Sequence, residues 1–144
     1  MRYLIPVLFL LVTIRVSAQA VLDWNDLERG ISWEEGSVDA TFPGFLQAEY
    51  SEKLSSLEGK EISLIGYLIV LDGIQSIYML SKNPMASCFF CGNGGPETVS
   101  EVFFDEKNSF KMDDLIMVTG ILRLNRNDPS RTYYLIEKAS AFGK

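Results

Sequence analysis

The sequence predicts a small, mostly β domain with one or two short helices, its five strands closed into a barrel. Three observations carry that prediction. Five apolar stretches between residues 61 and 137 are separated by turn-forming residues. Two of them, Ile62-x-Leu64-x-Gly66-x-Leu68 and Ile116-x-Val118-x-Gly120-x-Leu122, share one register, with glycine at mid-strand. Glycine weakens a strand unless the backbone bends sharply or passes close to another segment, and closing a sheet demands such bending. Five strands, two of them centrally kinked, match an OB-like barrel. A two-layer α+β sheet with a helix on one face is the alternative.

Residues 1–20 have the layout of a secretory signal peptide. Arg2 gives a positive start, Tyr3 to Ile14 is almost unbroken apolar sequence, and Val16-Ser17-Ala18 is a small-residue cleavage site. Cleavage after Ala18 or after Ala20 fits. The apolar run is shorter than the roughly 20 residues of a bilayer span. No cysteine lies near the cleavage site, which argues against a lipid anchor. Residues 21–45 read as an irregular segment packed on the domain. Asp23 can cap a short helical turn from Trp24 to Leu27, Gly30 ends it, and Ile31-Ser32-Trp33 can form an edge strand. Trp24 and Trp33 are expected to lie over the core, because each buries a large apolar area.

Residues 46–144 are expected to form the OB-like domain, beginning with a helix. Leu46, Tyr50, Leu54 and Leu57 share one face at helical period, so 46–57 reads as a single amphipathic helix stopped by Gly59. The first strand, Ile62 to Val70, is apolar on most of both faces, as in a strand buried twice. Asp72-Gly73 is a tight-turn signal, and Ile77 to Leu80 returns. A loop rich in Asn, Pro and Gly fills 81–96. Val99 to Phe104 is the third strand. Asp105 to Asp114 is a polar connection holding a turn or short helix. Leu115 to Leu124 is the fourth strand, and Thr132 to Glu137, after the turn Asn127-Asp128-Pro129-Ser130, is the fifth.

Charge and composition narrow the function. The whole chain carries a net −6; residues 1–20 hold two arginines and no acids, so their removal leaves −8. An acidic chain does not suit nucleic acid, whose phosphates demand a basic face, nor an anionic lipid surface. Histidine is absent, which excludes Ser-His-Asp and Cys-His catalysis. Two cysteines alone do not make a disulfide scaffold. The expectation is an exported protein, periplasmic or extracellular, that binds rather than catalyses.

The chemistry concentrates in Met85-Ala86-Ser87-Cys88-Phe89-Phe90-Cys91-Gly92-Asn93-Gly94-Gly95-Pro96-Glu97. Two-residue spacing lets both sulfurs face one point, and a Cys-x-x-Cys-Gly turn has the shape of half a zinc knuckle, in which backbone N–H groups turn toward sulfur. The metal ligands expected from sequence are Cys88, Cys91 and Glu97. Glu101, or a second copy of the loop across a homodimer, could also complete the set. Soft sulfur favours zinc or copper(I) over calcium or magnesium, and zinc is the expected ion. A redox pair is a second reading, although Gly-Asn-Gly-Gly-Pro cannot start the helix that a thioredoxin-like motif needs. A local disulfide pinning the loop is a third.

Other groupings look structural. Glu34-Glu35, Asp105-Glu106 and Asp113-Asp114 are adjacent carboxylates, and neighbours on a strand point to opposite faces. Arg123, Arg126 and Arg131 surround the last turn and could grip an anion. Tyr67, Tyr78, Tyr133 and Tyr134 could form a stacking platform, but β alternation favours ordinary packing.

Four stretches make the sequence familiar: Trp24-x-x-Leu27; Leu57-Glu58-Gly59-Lys60 through Gly66-Tyr67; Met85 to Gly92 with Gly95-Pro96-Glu97; and Thr119-Gly120-Ile121-Leu122-Arg123-Leu124-Asn125. On these the chain resembles a family of small exported bacterial proteins that carry a domain of unknown function. It is also distantly similar to a broader set of exported proteins with the same Leu-x-Gly-Lys-x-x-x-x-x-Gly-Tyr opening. Those carry a histidine after the first cysteine and a proline run beyond it, and some look to be encoded beside metal-uptake or export transporters. Here Phe89 and Phe90 follow Cys88 instead. The resemblance implies a partner in the envelope, such as a metal-transporter component, and supplies no catalytic residue.

Overall fold

The computed structural model describes residues 19–33, 45–72 and 77–143. Residues 1–18 of the expected signal peptide and most of the turn expected at Asp72-Gly73 lie outside these residues. In chain order the elements are β1 (Ala20–Val21), α1 (Trp24–Arg29), β2 (Ile31–Trp33), β3 (Ala48–Tyr50), α2 (Glu52–Leu57), β4 (Glu61–Asp72), β5 (Ile77–Ser81), β6 (Val99–Phe104), β7 (Leu115–Leu124) and β8 (Tyr134–Gly143).

Five of these strands close into a barrel, as the sequence predicts. β4 pairs antiparallel with β5 on one side and with β7 on the other. β5 pairs antiparallel with β6, β6 runs parallel to β8, and β8 returns antiparallel to β7. The circuit β4-β5-β6-β8-β7 therefore rejoins itself. Closure gives each of these strands a partner on both sides. β1 adds a short parallel pairing outside the ring, at Ala20 opposite Ile62 and Val21 opposite Ser63. It pairs the edge of β4 that β5 does not reach, beside Ser63, which is buried like Ile62 and Leu64.

The two mid-strand glycines lie where backbone meets backbone. A Cβ on Gly66 would stand 2.7 Å from the Ser81 carbonyl oxygen, and one on Gly120 would stand 2.6 Å from that of Glu137. At Gly120 the β7–β8 register shifts between Thr119 and Ile121. Lys138 opposite takes a left-handed φ of 50°, so the extra residue of this bulge turns β8 sharply.

Two element boundaries differ from the sequence reading. The helix expected over 46–57 is split. Its first half is β3, paired with β2, and only Glu52–Leu57 is helical. The Ser51 hydroxyl caps α2 by accepting the Leu54 N–H, so the helix begins there. Tyr50 is fixed as strand, with its hydroxyl 2.6 Å from the Asn125 carbonyl oxygen and 2.9 Å from that of Tyr133. The helical spacing of Tyr50 and Leu54 is real, but they reach the core from different elements. The fifth strand, expected over Thr132–Glu137, runs instead from Tyr134 to Gly143. The bulge at Lys138 breaks the alternation that would have revealed its second half.

The N-terminal segment packs on the barrel through particular bonds. Asp23 and Asp26 form a reciprocal capping box on α1. Leu27 is buried, and its carbonyl accepts the hydroxyl of the fully buried Tyr134. Trp24 donates its indole N–H to the Ile65 carbonyl, and Trp33 meets the Tyr133 ring edge-on at 4.6 Å. Both tryptophans cover the core, as expected.

Candidate thiol and metal site

The Cys-x-x-Cys stretch is the connection of the β5–β6 hairpin. At its base Ser81 pairs with Val99, and Lys82 N–H donates to the Thr98 carbonyl. Between these points the chain forms three 3-10 turns, Met85–Ser87, Phe89–Cys91 and Pro96–Thr98. Pro84 precedes the first, which suits a residue with fixed φ and no N–H. Gly92 ends the second at φ 81°, a left-handed conformation that a side chain would strain.

These turns bring the two sulfurs to one point. Cys88 is fully buried and Cys91 is exposed. Both thiols donate to the Met85 carbonyl oxygen, from 3.2 Å for Cys88 and 2.9 Å for Cys91. The Met85 thioether sulfur lies 3.9 Å from the Cys88 sulfur. Some desolvation and the neighbouring Cys88 sulfur push the Cys91 thiol above its ordinary range. Reactive cysteines are instead marked by a lowered pKa.

The knuckle expectation holds for the spacing but not for the backbone. The N–H groups of Cys91 and Asn93 donate to the Cys88 carbonyl, and that of Gly92 donates to the Phe89 carbonyl. They are committed to turn closure rather than turned toward sulfur.

Glu97 is not brought to the thiols. It lies in the third 3-10 turn, with its carboxylate folded back over Gly95. Glu101 points elsewhere, paired with Arg131 at 2.5 Å. Among the described residues no three or more His, Cys, Asp and Glu side chains gather as a metal site. The two cysteines are unbridged, with their sulfurs adjacent.

Glu34 and Glu35 lie outside the described residues, whereas the arginine and tyrosine groupings resolve as structure. Arg123 pairs with Glu137, Arg126 with Glu58 and Arg131 with Glu101, so each of the three arginines already faces a carboxylate. Tyr133 and Tyr134 are buried, and Tyr78 packs edge-on against Phe104. They are packing residues rather than a platform.

Sequence reasoning missed one residue that shapes the loop. Asp113, in the connection before β7, accepts the Met85 N–H at 2.7 Å. It holds a left-handed φ of 65° and is fixed by β4, its own N–H donating to the Leu68 carbonyl at 2.8 Å. A non-glycine residue in this region stores strain, although Asp tolerates it better than most. The only signal in the sequence was an aspartate pair in a polar connection, which says nothing of contact with Met85.

Beside the loop runs a groove of about 840 Å³, whose apolar lining includes Phe89, Phe90, Met79, Phe45 and Tyr133. Phe90 is exposed and meets Phe89 edge-on at 5.6 Å. Phe89 and Phe90, between the two cysteines in sequence, both line this groove.

Comparison with known proteins gives no matching family model, no matching curated protein and no matching solved structure.

Proposed function

We propose that this chain is an exported, non-enzymatic binding module that holds a soft metal ion at Cys88 and Cys91, as an accessory to metal handling in the cell envelope. The observation that carries the reading is the convergence of both thiols on the Met85 carbonyl, one sulfur buried and the other open to solvent. A pair so placed offers two ligands from one side and leaves an entry path on the other. Soft sulfur selects soft ions, and a bound cation removes the thiol protons outright. The envelope location rests on the N-terminal apolar run and cleavage pattern, and a transporter or envelope partner rests on the family resemblance.

Native mass spectrometry of the protein recovered after export, before and after acid unfolding, tests the reading. The expected result is a metal-sized mass that leaves on acidification and is absent from Cys88→Ser and Cys91→Ser. A metal-free monomer lighter by two hydrogens would sink it. That outcome would favour the second reading, thiol–disulfide exchange, whose support is the exposed Cys91, next in sequence to Phe90 of the apolar groove.

A further inference from the structure

We infer that Met85 supplies a third sulfur to this pair, making a site for a monovalent soft cation, copper(I), within one chain. The inference rests on the metal-binding reading and goes beyond it by naming the ligand and the ion. Met85, Cys88 and Cys91 are three residues apart in turn, with Cys88 as the extended link between the 3-10 turns that carry the other two, and both thiols reach the Met85 carbonyl. Sulfurs bound to one ion at about 2.3 Å stand about 4.0 Å apart at a trigonal angle and about 3.8 Å at a tetrahedral one. The Met85 and Cys88 sulfurs are already 3.9 Å apart, so the thioether needs little movement to share an ion with the thiolate.

The donor set selects the ion. Structural zinc takes four ligands from Cys, His, Asp and Glu, and no third such group joins the cysteines among the described residues. Thiolates with a thioether suit copper(I), for which soft sulfur is the preferred donor. Binding is ligand exchange without electron transfer. The two thiols release their protons to solvent, two thiolate–copper bonds form, and the thioether donates a lone pair, leaving one net negative charge at the site. The Met85 carbonyl, which holds both S–H groups in the metal-free protein, is freed of them.

The test is an anaerobic titration with copper(I) against a chromogenic copper(I) chelator, followed by X-ray absorption at the copper edge on selenomethionine-labelled protein recovered after export. The expected result is one copper per chain with a copper–selenium scattering path. Met85→Leu should lose that path and bind at least about tenfold more weakly, the lower bound for removal of an outer-shell partner of a metal ligand. One copper held by two sulfurs, with no selenium path and no effect of Met85→Leu, would overturn the inference and leave the metal reading intact. Zinc at one ion per two chains with no copper uptake would do the same. Copper held equally well by Cys88→Ser and Cys91→Ser would overturn both. Circular dichroism of each variant separates loss of a ligand from loss of fold.

Discussion

Two connections of this barrel use polar atoms in opposite ways. The β7–β8 connection is a closed set built on Asn125. Its side-chain amide donates to the carbonyls of Asp128 and Thr132, its side-chain oxygen accepts the N–H groups of Asn127 and Asp128, and its own N–H donates to Tyr133. Ser130 closes back on the Asp128 carboxylate. Every one of these groups serves the shape of the turn. The β5–β6 connection closes its turns mainly with backbone bonds, helped by the hydroxyls of Ser81, Ser87 and Thr98 and by the Asp113 carboxylate, and none of its sulfurs is needed to close a turn: both thiols meet on the Met85 carbonyl, with the Met85 thioether beside the Cys88 sulfur. A loop whose central side chain holds its own shape has none left for a ligand, whereas one closed by its backbone and flanking hydroxyls keeps its sulfurs free.

The largest effect that could break this contrast is at Asn125. It is 9% exposed, and Asn125→Ala removes the partner of several buried groups at once. The expected cost is about 1–3 kcal/mol, read as a lower urea midpoint at unchanged slope, with metal binding unaltered. A midpoint shift of only a few tenths of a kcal/mol, the scale of ordinary surface changes, would mean that the network does not hold the turn.

The second effect sharpens the contrast by finding what does position the thiol loop. Asp113 supplies both a left-handed backbone and a carboxylate on the Met85 N–H. Asp113→Gly keeps the backbone comfortable and removes the carboxylate. Metal affinity should then fall about tenfold, as for loss of an outer-shell partner, while stability changes little. Asp113→Asn, which keeps an acceptor and tolerates the conformation, should restore most of the affinity. Asp113→Ala should lose the affinity and add about 1 kcal/mol of backbone cost. Equal affinity in all three would show that the loop holds Met85 unaided.

The same contrast shows what the sequence could reveal. The barrel was legible because its signals are local: apolar alternation in β4 and β7, and glycines whose only physical use is the close approach now seen at Ser81 and Glu137. The split of β3 from α2 was not legible, because Tyr50 is held by carbonyls about 75 or more residues away in sequence. The second half of β8 was hidden by the bulge at Lys138. At the site the cysteine pair announced itself, while Glu97 was credited for closeness in sequence and turns away. Met85 was present in the motif at the spacing of a 3-10 turn, but only a turn makes that spacing meaningful. Asp113 meets the loop solely because β4 and β7 close the ring.

The smallest expected effect concerns acid. Glu58, at the end of α2, bonds to Arg126 at the start of the β7–β8 connection and accepts the Leu124 N–H. The Arg126 hydrogen bond is the main reason its carboxyl is held below the usual range, against an opposing contribution from burial. A carboxyl depressed in the folded state stabilises it fully above the unfolded value of about 4.3, and that stability is lost as pH falls through the folded value. Both side chains are about a third exposed or more, so the contribution is a few tenths of a kcal/mol. Glu58→Gln should lower stability by that amount at neutral pH and converge with the parent in acid, as denaturant titrations at pH 7 and pH 3 would register. Metal release follows different chemistry, because protons compete for the thiolates themselves, and should begin at higher pH in both proteins alike. If Glu58→Gln also moved the pH of metal release, the Asn125 turn and the sulfur loop would be coupled through the barrel, and the separation of shape from chemistry drawn between them would fail.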